Sequence, residues 1–389
     1  MKFDLKNLRQ KAKAWIKDVV SGHDAGQPDW YLVCLFAILT LFGLAILSSA
    51  GVAVGLQRFN DGYWHVKHQI IFGLLPGLLL FVIFSRLNYY RLKSLAVPFL
   101  AVSIILLALV FMPGIGAGYG TAKSWINFFG YSLQPSEVVK LTFLIYLVSW
   151  LSSRKVQHLK DFNTGFLPFI FVLGIITLLI MLEPDMGTMS IIAATSLVVY
   201  FVAGGSWKHL SWLSVAGAFG IWMLIKMAPY RAQRLTIFLH PELEPLGIGY
   251  HINQALLAVG SGRLFGLGFG HSRQKFAYLP EVTGDSIFAI VSEEFGFFIA
   301  TAFIILLVMI VLRVLKNALH CPDQFGRLLS IGIISWFIIQ SFLNIGAIVA
   351  IVPLTGVPLP FISYGGTSLM MCLAAAGILV NISKQVENN

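Results

Sequence analysis

Residues 328–383, LLSIGIISWFIIQSFLNIGAIVAIVPLTGVPLPFISYGGTSLMMCLAAAGILVNIS, run for 56 positions without a formal charge. That is more than twice the length one helix needs to cross roughly 30 Å of hydrocarbon. Pro353, Gly356, Pro358 and Pro360 interrupt the run, so it reads as two membrane-spanning helices joined by a Pro-rich turn. Further back, residues 186–225 carry a single charge, Lys208, next to Gly204 and Gly205, and divide there in the same way. Ten spans are expected along the whole chain: 31–54, 68–85, 95–113, 134–152, 164–182, 187–204, 208–227, 286–312, 327–352 and 362–383. The composition agrees. Of 389 residues, 57% are hydrophobic and 11% charged, against about 25% charged in an average soluble domain. The fold class expected is an all-α polytopic membrane protein of ten transmembrane helices; a barrel would need short alternating strands.

Lys and Arg set the orientation. With the polar connections taken alternately from an inner N-terminus, 17 of the 27 fall inside and nine outside. Lys140, within a span, completes the count. Both termini are therefore expected in the cytoplasm: residues 1–30 as a basic segment with an amphipathic helix over 5–19 on the inner leaflet, and 384–389 as a short tail. Residues 31–383 form one transmembrane domain. The first apolar run is too long for a cleaved leader and reads as a retained span. Residues 228–284 are the single large outer loop, between the seventh and eighth spans, with a short amphipathic helix at 250–259 and a Gly-rich stretch at 260–270. The net charge of +10 is explained by a membrane surface, with no nucleic acid partner implied. Cys34, Cys321 and Cys372 have no metal or disulfide spacing.

Ionisable groups in or beside spans are costly and so are the candidates for function: Glu137, Lys140, Glu183, Asp185, Asp285, Glu293 and Glu294. Glu137 and Lys140 share a helix face and read either as a buried neutralising pair or as part of a site. Glu183 and Asp185 end a span, where a helix cap competes with a functional role. Glu293 and Glu294 read as packing residues. Asp285 ends the large loop at the mouth of a span, before the apolar 287–290. Partial desolvation there raises a carboxylate toward the range useful to a general base; a helix cap is the other reading. The glycines of 260–270 lack the context of a nucleotide site and read as loop flexibility. His240, His251 and His271 lack metal-ligand spacing. Arg231, Arg234, Arg263, Arg273 and Lys275 make the loop cationic, which suits a phosphate-bearing lipid or simply a solvated face.

Several segments together resemble the SEDS family (shape, elongation, division and sporulation) from the first span to the last. They are Ala122-Lys123-Ser124-Trp125-Ile126 with Gln134-Pro135-Ser136-Glu137 and Lys140; Glu183-Pro184-Asp185-Met186-Gly187; Leu279-Pro280-Glu281 with Asp285; Glu293-Glu294-Phe295-Gly296; and Pro358-Leu359-Pro360-Phe361-Ile362-Ser363-Tyr364-Gly365-Gly366. Residues 247–254, 272–276 and 344–347 look closer to the division (FtsW) branch than to the elongation (RodA) branch. One departure is Gly284-Asp285-Ser286, where the family usually reads Thr or Ser, Asp, Phe.

The resemblance implies a peptidoglycan glycosyltransferase of the bacterial cytoplasmic membrane that polymerises lipid II during septal wall synthesis. The partners it implies are the nascent glycan strand, a class B penicillin-binding protein, other divisome proteins and membrane lipid. It assigns catalytic roles to Asp285, Glu137 and Lys140. Substrate contacts are implied for Lys67, Lys123, Trp125, Gln134, Ser136, Arg231, Arg273, Lys275, Ser363 and Tyr364. A divalent cation, Mg²⁺ or Mn²⁺, is expected on Asp285 and Glu137. A lipid flippase and a non-catalytic scaffold are the competing readings.

Overall fold

A computed structural model describes residues 26–112, 116–119, 122–128, 131–227, 236–238, 240, 243 and 247–386. The expected N-terminal amphipathic helix and Arg231 and Arg234 lie outside the described residues. Helices cover each of the ten expected stretches: α1 (Trp30–Ala50), α2 (Trp64–Arg86), α3 (Ala96–Leu109), α4 (Pro135–Ser152), α5 (Phe162–Leu182), α6 (Met186–Val202), α7 (Trp207–Met227), α9 (Ile287–Leu319), α10 (Gln324–Ile348) and α11 (Gly366–Ser383). Helix α8 (Ile248–Ser261) lies in the large loop, where an amphipathic helix was expected. Six of these helices, α1, α2, α5, α9, α10 and α11, are long and apolar enough to cross a membrane, and α3 and α6 are shorter apolar helices.

The helix ends follow from local chemistry. Asp29 caps α1, its Oδ1 accepting from the Leu32 N–H at 3.2 Å; Asp185 caps α6 through Thr188; Asp323 caps α10 through Gly326. Each carboxylate satisfies a donor that the first turn leaves unpaired. Pro135 opens α4, where a missing N–H costs nothing. Helix α9 runs seven residues past its expected end at 312 because Asp29 accepts from the Arg313 guanidinium at 2.5 and 3.0 Å and from the Asn317 amide at 2.9 Å. Those bonds extend the helix into the polar zone.

Two expectations are corrected. The fold is not all-α: β1 (Gly116–Tyr119), β2 (Ala122–Phe128) and β3 (Tyr131–Leu133) form an antiparallel sheet in the order β1-β2-β3, pairing Gly116 with Ile126 and Ile126 with Leu133. This segment between spans must satisfy its own backbone groups, and a small hairpin sheet does so. Second, the Gly-rich stretch is not a flexible loop. Helix α9 breaks at Gly296 (φ 73°, ψ −173°), about 14 Å along its axis. The backbone groups freed by that break bond to the Gly-rich stretch: Leu267 and Gly268 N–H donate to the Glu293 and Glu294 carbonyls at 3.0 and 2.9 Å, and Phe297 and Phe298 N–H donate to Arg263 and Leu264 at 2.8 and 3.2 Å. A Cβ at Gly266 (φ +77°) would sit 2.2 Å from the Glu294 carbonyl oxygen, and one at Gly262 1.9 Å from that of Ser292. Glycine is needed there for backbone-to-backbone approach. Gly266→Ala is expected to cost about 3 kcal/mol or more, read as a lower melting temperature in detergent; an unchanged melting temperature would contradict the tight docking.

Burial sorts the helices into layers. The apolar windows of α11 and α10 are 89% and 72% buried, against 22% for α2 and α9. Thus α10 and α11 are the inner helices, and the Pro-rich turn between them is held at the centre of the bundle's end.

Candidate active site

The turn joining α10 to α11 grips the end of the large loop. Ser363 Oγ donates to the Gly284 carbonyl at 2.6 Å, the Tyr364 N–H to Thr283 at 2.8 Å, and Asn344 Nδ2 of α10 donates to the carbonyls of both Asp285 and Val357 at 2.8 Å. These bonds fix the backbone on both sides of Asp285, whose side chain is half-buried. Burial first, and then the neighbouring Glu281 carboxylate, push Asp285 up to about 6 from an ordinary 3.8. At neutral pH it is still mostly ionised, so it can accept a proton and hold it. The helix-cap reading is not what this carboxyl does. Ser286 occupies the cap position of α9 without a side-chain cap bond, and Ser286 Oγ lies 3.4 Å from Asp285 Oδ1.

Glu137 and Lys140 are buried in α4, with Nζ to Oε1 at 2.6 Å and each side chain 1% exposed. The ammonium also donates to Gln340 Oε1 at 2.8 Å and lies 5.1 Å from the Trp336 ring centroid. Gln340 in turn donates to the Pro358 carbonyl at 2.7 Å. Gln340 and Asn344 are one turn apart on α10, so the ion pair and Asp285 are joined through two amides holding the same turn. Sequence reading did not single out Gln340; its signal was an amide within an apolar span.

Two of the quoted motifs meet here, and the first also touches α11. Ser124 Oγ of β2 donates to the Glu183 carbonyl at 2.9 Å, and Ser136 Oγ of α4 to Asp185 Oδ2 at 3.3 Å. Gln134 N–H donates to Thr367 Oγ1 of α11 at 3.3 Å. The Glu183 carboxyl is fully buried, has no partner among the described residues, and is pushed up to about 8, chiefly by desolvation and then by Asp185. Because its folded pKa is raised, its contribution to stability is complete below the unfolded value of about 4.5 and is lost as pH rises through 8. Glu183→Gln is expected to flatten that dependence, gaining about 3 kcal/mol at pH 7. Melting curves between pH 5 and 8 check this; parallel curves for both proteins would refute it.

A sequence model of the family described as "Cell cycle protein" (FtsW/RodA/SpoVE) matches residues 29–388. The chain belongs to the FtsW/RodA/SpoVE family. It is 38% identical to the stage V sporulation protein E of Bacillus subtilis (strain 168) over 92% of this chain and 97% of that protein. It is 37% identical to a probable peptidoglycan glycosyltransferase FtsW of Trichlorobacter lovleyi, over 91% and 93%. Among solved structures, it resembles a chain of a peptidoglycan synthase complex that coordinates polymerization and crosslinking, with a TM-score of 0.76, 26% identity, and coverage of 93% of this chain and 99% of that one. The rod shape determining protein RodA of Thermus thermophilus matches with a TM-score of 0.68 at 27% identity, over 93% and 98%.

In this FtsW/RodA/SpoVE protein the remaining expected residues fall into distinct places. Ser363 and Tyr364 are part of the grip on Asp285, and the Tyr364 hydroxyl is 2.9 Å from His68 Nδ1. Trp125 is half-buried on β2, while the Lys123 side chain and all of Arg231 lie outside the described residues. Lys67 is exposed and paired with Asp61 at 2.7 Å; Arg273 is exposed. Lys275 is corrected from a substrate cation to a packing residue. It is buried and donates to Glu294 at 2.9 Å, Ser49 at 2.9 Å and the Gly270 carbonyl at 2.7 Å, which uses all three of its hydrogens. Glu293 and Glu294 are packing residues, as read from the sequence. Glu293 accepts from the Arg273 and Gln274 N–H groups and from Ser272 Oγ.

A cation expected on Asp285 and Glu137 would meet one unpaired oxygen on Glu137, its buried Oε2 having no partner among the described residues. One Glu137 oxygen is occupied by the Lys140 ammonium, and no three His, Cys, Asp or Glu side chains converge among the described residues.

Proposed function

We propose that the chain is a peptidoglycan glycosyltransferase that polymerises lipid II into β-1,4-linked glycan strands, in the septal wall of a dividing cell. The observation that carries the reading is Asp285: a half-buried carboxylate raised to about 6 and held by backbone bonds from α10 and the Pro-rich turn. The probable peptidoglycan glycosyltransferases among its relatives support it.

Asp285 takes the proton from the acceptor's GlcNAc 4-hydroxyl as that oxygen attacks the anomeric carbon of the donor's MurNAc. The new C–O bond forms as the bond to the diphosphate breaks, inverting the anomeric centre. The leaving diphosphate departs as an anion and needs positive charge more than a proton. Exposed Arg273 and Arg263 of the loop, and Lys67 in the first turn of α2, supply it. A Mg²⁺ or Mn²⁺ ion carried on the diphosphate would add Lewis-acid neutralisation; no step above depends on it.

In this reading all ten long helices cross the membrane, both termini face the cytoplasm and the large loop faces outward. A class B penicillin-binding protein crosslinks the strands. The experiment is glycan polymerisation by purified protein with its transpeptidase and labelled lipid II. Polymer supports the reading. Translocation of lipid II without polymer replaces it with a flippase, and neither activity in an intact complex replaces it with a scaffold.

A further inference from the structure

The large loop contributes one more group to the carboxylate, from a helix that the mechanism above leaves unused. Helix α8 packs along α9, and from it His251 reaches across so that Nε2 lies 2.7 Å from Ser286 Oγ. Ser286 is fully buried and His251 half-buried. The serine hydroxyl is also 3.4 Å from Asp285 Oδ1. A hydroxyl has one hydrogen to give and can accept a second bond. The assignment that gives the ionised carboxylate a donor has His251 Nε2–H donating to Ser286 Oγ, and Ser286 Oγ–H donating to Asp285 Oδ1.

The other oxygen has a different environment. Oδ2 faces Gly356 of the Pro-rich turn, where a Cβ would lie 3.9 Å away and where φ is +69°. The turn thus presents no side chain at that position, and Oδ2 carries no side-chain hydrogen bond among the described residues. We propose that His251 and Ser286 are a positioning pair: they hold Asp285 by Oδ1 and turn Oδ2 toward the acceptor hydroxyl. The inference rests on the glycosyltransferase reading and deepens it. Together with the backbone N–H groups of Asp285 and Ser286, this bond limits the rotation that would otherwise misdirect the carboxylate's lone pair, and misplacement of a base lowers turnover more than binding.

Glu281, on the approach to α9, raises the affinity of Asp285 for a proton, and the Ser286 hydroxyl and then the backbone N–H groups of Asp285 and Ser286 lower it. Helix α10 presents the neutral Asn344, the turn presents Gly356 and Ser363, and α8 presents His251, which burial keeps below the usual imidazole range. Removing the serine hydroxyl therefore moves the acidic limb of the rate profile to higher pH.

The test is steady-state polymerisation of lipid II by the intact complex, with kcat and KM separated and the pH profile recorded, for Ser286→Ala, His251→Ala and the double variant. Each single variant is expected to lower kcat about 10- to 30-fold with KM changed less than about twofold. The double variant should be no worse than the weaker single, because both changes break one chain. His251→Gln, which keeps an N–H donor, and Ser286→Thr, which keeps the hydroxyl, should recover most of the loss. Additive losses, an unmoved acidic limb or a His251→Gln variant as poor as His251→Ala would overturn the pair. Asp285→Asn, measured alongside, separates the two readings. If it polymerises at the wild-type rate, the glycosyltransferase assignment of Asp285 fails. If it is inert while the Ser286 and His251 variants match wild type, the positioning pair alone fails. Melting temperatures exclude unfolding as the cause, and should Ser286→Ala not fold, the Ser286→Thr and His251 series carries the test.

Discussion

Asp285→Asn is expected to lower lipid II polymerisation about 10²- to 10⁴-fold while the protein melts at or above the wild-type temperature. The two effects share one cause. The carboxylate is half-buried beside Glu281, which raises its pKa from 3.8 to about 6. Ionising it in the folded protein therefore costs at most about 3 kcal/mol relative to the unfolded chain. In sign, this raised group contributes stability that is complete below pH 3.8 and is lost as pH rises through 6. Asparagine keeps the size and the polar contact with Ser286, removes that cost and removes the base. The wild-type rate should fall tenfold per pH unit below about 6, where the base becomes protonated, and be level just above. A variant that loses activity and stability together would show that Asp285 holds the fold rather than the reaction.

Lys140→Met is expected to be the most destabilising single change in the bundle, by about 3–5 kcal/mol. The substitution leaves the Glu137 carboxylate buried at 1% exposure without its cation, and it frees Gln340 Oε1, which also accepts from Trp336 Nε1 at 2.6 Å. Gln340 holds the Pro358 carbonyl, so the Pro-rich turn loosens and the grip on Asp285 goes with it. The double variant Glu137→Gln with Lys140→Met removes both charges and should regain most of the lost stability. Polymerisation by the double variant then decides the role of the pair. Recovery of rate together with stability makes Glu137 and Lys140 supports of the turn, whereas a stable but inert double variant makes one of them a catalytic residue. Melting temperature and rate on the same preparations give both answers.

Much of the architecture was legible because hydrocarbon imposes simple rules. Uncharged runs of the right length became helices, and Gly204, Gly205, Pro358 and Pro360 marked joints. Asp285 stood out as a candidate for the same reason, since a carboxylate at the mouth of a span is costly wherever it lies. Glu293 and Glu294 were correctly read as packing groups. What escaped was every feature that depends on contact between distant segments. Lys275 looks like a loop cation in the sequence, and only its neighbours Ser49 and Glu294, 226 and 19 residues away, show it to be internal. His251 was weighed as a metal ligand because spacing was the available criterion; its bond to Ser286 spans 35 residues. The sheet around Ala122–Phe128 escaped because a short hairpin between spans lacks a hydropathy signal. The glycines 262–270 were misread because glycine serves flexibility and close approach equally well, and sequence does not distinguish them.

The break in α9 at Gly296 has a consequence for assembly. Residues 287–319 form the most hydrophobic window of the six candidate spans, so the insertion machinery would receive them as an unbroken rod. The kink becomes stable only once the segment from Arg263 to Gly268 has folded back to meet it, since lipid offers those exposed amides and carbonyls no substitute partner. Maturation thus ends with a latch closing after the span is already in place, and a chain whose loop is withheld from docking should reach the bilayer at normal yield yet remain a straight-helix intermediate, in which Phe297 and Phe298 N–H return to the Glu293 and Glu294 carbonyls and faster hydrogen exchange is confined to Leu267 and Gly268.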